Sequence, residues 1–167
     1  ATLLVAVTVL AGLAITDAKM ARQIEEQAIR SNALLAETIQ ATTRSAMLLG
    51  IPSHAYRSMD GVGRLPGVLR MRVMDKDGRV VISSRTEEIG TVYPKSEPIC
   101  QKCHASAQPI SRVAETVRGR VEIVEGERAI TTVSPIYNER SCTTASCHVH
   151  PQGRSVLGLL EIAISLT

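Results

Sequence analysis

All four cysteines of this 167-residue chain fall in two short clusters, and each cluster closes on a Cys-His pair. They read Cys100-Gln-Lys-Cys103-His104 and Cys142-Thr-Thr-Ala-Ser-Cys147-His148. Cysteines that staple a small secreted fold are spread so that they tie distant segments together. Here each pair is local and a histidine follows at once. The pattern points to a bound group rather than to a disulfide framework.

In the first cluster two cysteines three apart can each form a thioether to a vinyl group on one edge of a porphyrin. The following imidazole then lies under the iron, so His104 is the expected axial ligand. Three other chemistries use similar spacing. Zinc wants four ligands in compact tetrahedral geometry, and a redox dithiol of the thioredoxin type opens a helix within a βαβ unit. A tight local disulfide is the third. Pro98, just upstream, suits a loop. The second cluster has four residues between its cysteines. Two of these can bulge out while both sulfurs still reach the vinyls, which leaves His148 in the ligand position. A local disulfide, or zinc held by Cys142, Cys147, His148 and His150, competes with that reading. The expectation is two covalent haem c groups, held by Cys100, Cys103, Cys142 and Cys147 and ligated by His104 and His148.

Composition is compatible with this. There is no Phe, no Trp and only three Tyr, while 44% of residues are hydrophobic. Aromatic rings normally supply large rigid buried surfaces, so a core without them packs aliphatic side chains or borrows bulk from a cofactor. The formal charge of +3 is interspersed, with no basic block and no aromatic interleaving. Nucleic-acid binding is therefore not expected. Haem propionates would bring the holoprotein near neutrality.

Residues 1–16 carry no charge and read as a truncated transmembrane signal anchor, slightly short of the roughly 20 apolar residues a span needs. A signal-peptide core cleaved near Ala18 and a buried soluble helix are the alternatives. The first two place the remaining chain in the periplasm, anchored to the inner membrane, where c-type haem is attached in bacteria. Residues 17–52 predict a long membrane-proximal helix. Met20, Ile24, Ala28, Ser31, Leu35, Ile39, Thr42, Ala46 and Leu49 recur at spacings of three or four. That stripe fits either a helix laid on a sheet or a homodimerisation helix. Residues 53–67 predict a partly helical connector. Alternation then predicts a hairpin over Leu69–Ile82 and a second over Val117–Tyr137, with a last strand at Val156–Leu166. The fold class is α+β: a long N-terminal helix followed by an antiparallel sheet of about five strands, with residues 53–167 forming the sensor-like domain. The apolar run Ser155–Thr167 reads as a domain boundary, with a second span expected beyond it.

With His104 and His148 proximal, the remaining histidines are His54 and His150. Both are candidate distal ligands, with Met47 and Met59 as softer alternatives. Two strong protein ligands suit electron transfer or redox sensing, while an open sixth position admits NO, CO or O2.

Beyond the two Cys-His clusters, Ser83-Ser84, Glu88-Ile89-Gly90, Val133-Ser-Pro-Ile-Tyr-Asn-Glu139 and Leu157-Gly-Leu-Leu-Glu161 complete a pattern. Together they resemble the periplasmic haem-c sensor domains of bacterial transmembrane histidine kinases and chemotaxis receptors. The resemblance covers roughly residues 17–167 and departs from the pattern in the four-residue spacing of the second cluster. It implies a PAS-like or Cache-like sheet behind a long helix, and a role as a di-haem input module that detects redox state or a diatomic gas. A membrane-anchored di-haem cytochrome that relays electrons is the alternative. No catalytic residue is expected: nothing in the sequence assembles the distal acid–base set of a haem peroxidase or nitrite reductase, although such a domain can serve as the input of a histidine kinase. A zinc- or disulfide-stapled ligand-binding domain remains if no haem is bound.

Overall fold

A computed structural model describes residues 2–105, 119–143, 150, 153 and 155–166. Helix α1 (Thr2–Leu48) is followed by α2 (Pro52–Gly63), strand β1 (Val68–Asp75) and strand β2 (Val80–Ser83). Then come α3 (Pro98–His104), β3 (Gly119–Val124), β4 (Glu127–Tyr137), a single turn of helix α4 (Arg140–Thr143) and β5 (Val156–Ser165). The α+β expectation holds at this level: a long helix precedes a five-stranded antiparallel sheet.

Helix α1 runs without a break through the apolar N-terminal segment and the residues after Asp17. Its 47 residues span about 70 Å at 1.5 Å per residue. The stop is local chemistry. Gly50 adopts a left-handed φ of 72°. Its N–H donates to the Met47 carbonyl, and the Ile51 N–H donates to that of Ala46. This paired closure satisfies helix-end carbonyls and favours glycine at that position. Pro52 then opens α2, where its fixed φ costs nothing and its missing N–H is not needed. No helix among the described residues is long and apolar enough to cross a membrane.

The sheet order is β2-β1-β5-β4-β3. Both hairpins expected from alternation form, and β5 enters between them to pair with β1 and β4. In the first hairpin the Asp75 carboxylate accepts from the backbone N–H of Asp77 and Arg79, while Gly78 takes φ 80°. In the second, Glu125 and Gly126 both have positive φ, the requirement of a two-residue turn that follows strand twist. Strand β4 begins at Glu127, two residues before the expected start, and the expected beginning at Val117 lies outside the described residues.

Both faces of the sheet are covered. On one, Met71, Val73, Leu160 and Ile162 pack against Ala36 and Ile39 of α1 and Ala55 and Met59 of α2. The stripe on α1 therefore divides. Leu35, Ile39 and Ala46 join the core between α1, α2 and the sheet, whereas Met20 and Ile24 stay exposed. On the opposite face Met74, Val80 and Val133 form a second cluster with Leu159, Tyr93 and Cys100. A bulge joins the two patterns: pairing passes from Val73↔Ile82 to Met74↔Val80, and Val81 has no partner in the register. Ile82 can thus pack with the helices while Val80, two residues away, packs on the other side.

Candidate functional site

The first Cys-His cluster forms α3, a short helix rather than the loop expected beside Pro98. Glu97 precedes it and Pro98 starts it. A three-residue separation on a helix puts Cys100 and Cys103 on one face, and His104 follows at the exposed C-terminal end. Cys100 carries a free thiol in this structure. Among the described residues no three His, Cys, Asp or Glu side chains converge as a metal cluster. The dithiol reading fails on topology, since the sheet is antiparallel and holds no βαβ unit among the described residues. Two thiols on one face of a short helix with an imidazole at its end match the set of groups that a covalently held porphyrin would use.

The sheet face under α3 is charged as well as apolar. Glu161, with 0% exposure, accepts from Arg70 Nε at 2.8 Å and from Arg72 at 2.9 Å. Arg72 lies over the Tyr93 ring at 4.2 Å from its centroid. Tyr93 and Cys100 pack on the same apolar cluster. Burial pushes the Cys100 thiol above its ordinary pKa, the Glu97 and Glu161 carboxylates push the same way, and Arg72 opposes them. A thiol held neutral is a weak nucleophile and resists oxidation. Arg72 itself is raised: burial works against its charge, but Glu161 by charge and hydrogen bond, then Tyr93 and Glu88, outweigh it.

Of the second cluster, Cys142 is described, and it lies at the other face. Cys142, on α4, also carries a free thiol. It lines a cavity of about 580 Å³ between α1, α2 and the sheet, a size ordinary for a cofactor pocket. Met47 from α1, Met59 from α2 and His150 line it too. Met59 is 3% exposed. Three of the four candidate distal ligands thus meet in one cavity beside Cys142. His54 does not: it sits exposed in the first turn of α2, outside that lining. Cys147 and His148 lie outside the described residues, so the expected proximal ligand has no position here.

Two polar atoms in the cavity wall, Thr43 Oγ1 and Tyr137 Oη, are buried with no hydrogen-bond partner among the described residues. Gln40 donates from α1 to the carbonyls of Ser134 and Pro135 on β4. Arg44 pairs with Glu139, which leads into α4. The wall bearing Met47 is thereby tied to β4 and to the segment that leads into the helix carrying Cys142.

Sequence reasoning missed Arg72, Tyr93, Glu161, Thr43 and Tyr137. One signal was present in outline. All three tyrosines of this aromatic-poor chain sit at the two sites: Tyr56 and Tyr137 at the cavity, Tyr93 beside Cys100. Compared with known proteins, the chain matches no family model and no curated sequence.

Proposed function

We propose that the chain is an extracytoplasmic di-haem c-type sensor domain of a membrane signal-transduction protein, reporting redox state or a diatomic gas through haem ligation. The carrying observation is Cys100 and Cys103 on one face of α3, followed by His104 and seated on the sheet. Cys142 and Cys147 would hold the second haem, with His148 its proximal ligand. Haem iron supplies a one-electron couple and a coordination position that a gas can occupy. The strand order β2-β1-β5-β4-β3, with the last strand between the hairpins, supports the PAS-like form of the sheet.

Two observations favour a sensor. Met47 and Met59, candidate ligands at the cavity, belong to the helices and not to the sheet. A ligand bond to α1 would make the position of that helix depend on ligation. The apolar residues Val5, Val7, Val9, Leu10, Leu13 and Ile15 at the other end of α1 are all exposed, which supports anchoring in the inner membrane with the sheet in the periplasm. Met20, Ile24 and Leu34, exposed farther along α1, support a homodimer through it. The exposure of His104 favours a second reading, a membrane-anchored cytochrome that exchanges electrons with a redox partner.

Intact mass and a visible spectrum of protein matured with haem-c assembly machinery test the proposal. Two added haems are expected. One would remove Cys142–His148 as a site, and none would end the haem reading. Addition of NO or CO to the reduced protein should shift the spectrum; an unchanged spectrum would exclude gas sensing.

A further inference from the structure

Cys142 and Cys100 meet different faces of one sheet. Cys142 belongs to the cavity walled by Met47, Met59 and Leu160, whereas Cys100 packs on Met74, Val80 and Val133. The surroundings differ in kind. The cavity wall is apolar and thioether-rich over much of its area, with Glu37, Arg44, Asp75 and Glu139 also among its lining residues. The face under Cys100 carries Arg70, Arg72 and Glu161, with Glu88 3.8 Å from Arg72 and Glu122 3.7 Å from Arg70.

Resting on the di-haem reading, we propose that Arg72 is the residue that sets the reduction potential of the haem held at Cys100–His104, making the two haems electrochemically distinct. Three observations carry this. Arg72 is fixed: Glu161 holds one end of its guanidinium at 2.9 Å and Tyr93 covers its face at 4.2 Å. It is adjacent, because the ring it lies on shares the apolar cluster that seats Cys100. It is also incompletely satisfied. Arg72 is 5% exposed, yet its Nε has no hydrogen-bond partner among the described residues. A structural ion pair has no use for a buried donor without an acceptor. The Nε is closed off as placed, and a carboxylate of a tethered porphyrin is the chemical class of acceptor it would meet if the side chain turned outward.

The sign follows from charge alone. A fixed cation near the iron disfavours the ferric state, which carries one more positive charge than the ferrous, and so raises the potential. Burial keeps solvent and salt from screening it. Glu161 acts in the opposite direction and is shared between Arg70 and Arg72.

The test is a potentiometric titration of the full di-haem protein followed by visible absorbance, with bound haem verified by intact mass. Wild type should show two components. R72M should lower the midpoint of one component and leave the other in place, R72K should return it most of the way, and E161Q should raise the same component. R72M shifting neither component, or both equally, overturns the proposal. If R72M yields no folded holoprotein, E161Q decides: an unmoved or lowered midpoint overturns it. A wild-type protein without bound haem would instead overturn the underlying reading, and the mass measurement tells the two failures apart.

Discussion

Replacing Glu161 with Leu should destabilise the protein by about 3–5 kcal/mol, the cost of stranding a buried charge whose partner is removed. The carboxylate is fully buried and accepts three short contacts, from Arg70 at 2.7 and 2.8 Å and from Arg72 at 2.9 Å. Counted singly, hydrogen bonds to charged groups at roughly 1.5–3 kcal/mol each would give more. The smaller figure applies because Arg70 retains Glu122, at 3.7 Å, and a partly exposed side chain that can regain water. Arg72 has less recourse, with only 6% of its side chain exposed and Glu88 at 3.8 Å. For a chain of this length the loss corresponds to a fall in Tm of roughly 6–20 °C, measurable by circular dichroism on the holoprotein. The combined change R70M/R72M/E161L should recover most of it, because it removes the stranded charges together with their partner. A single variant within about 1 kcal/mol of wild type would refute the reasoning. So would a triple variant no better than the single, since the loss would then come from packing.

The raised pKa of Cys100 gives a pH prediction for protein made without haem attachment. A thiol whose folded pKa is raised favours the fold while it stays neutral. Its contribution is complete below the ordinary thiol pKa and is lost as pH rises through the raised value. Iodoacetamide should therefore label Cys100 more slowly in the folded than in the urea-unfolded chain, the gap closing at alkaline pH; equal rates at pH 8 would contradict the burial argument. Gly78→Ala should cost about 1–3 kcal/mol, because Gly78 has φ 80° and a Cβ there would strike the Tyr93 carbonyl. Urea denaturation would show the loss, and unchanged stability would mean that the turn adapts.

The helix ends and hairpins were legible because each rests on chemistry within a few residues: Gly50 and Pro52 at the end of α1, Asp75 and Gly78 in one turn, Glu125 and Gly126 in the other. The division of the α1 stripe was not. Its spacing is the same whether a residue meets the sheet, as Ile39 does, or solvent, as Met20 does. The charged lattice was invisible for a similar reason. Arg70 and Arg72 alternate with apolar residues along β1, and alternation alone does not say that their face is covered.

By itself the sequence determined the spacing Cys100-x-x-Cys103-His104, the α+β class and the candidates for ligation, since covalent reach and local periodicity need no partner segment. Only the tertiary structure decided which candidates meet. Met47, Met59, His150 and Cys142 share a cavity because α1 and α2 lie on one face of the sheet. Cys100 reaches Tyr93 on the other face. Glu161 meets Arg70 and Arg72 because β5 pairs with β1 in a register that joins residues about ninety positions apart. Such a register is fixed by which faces are buried, and burial belongs to the assembled fold.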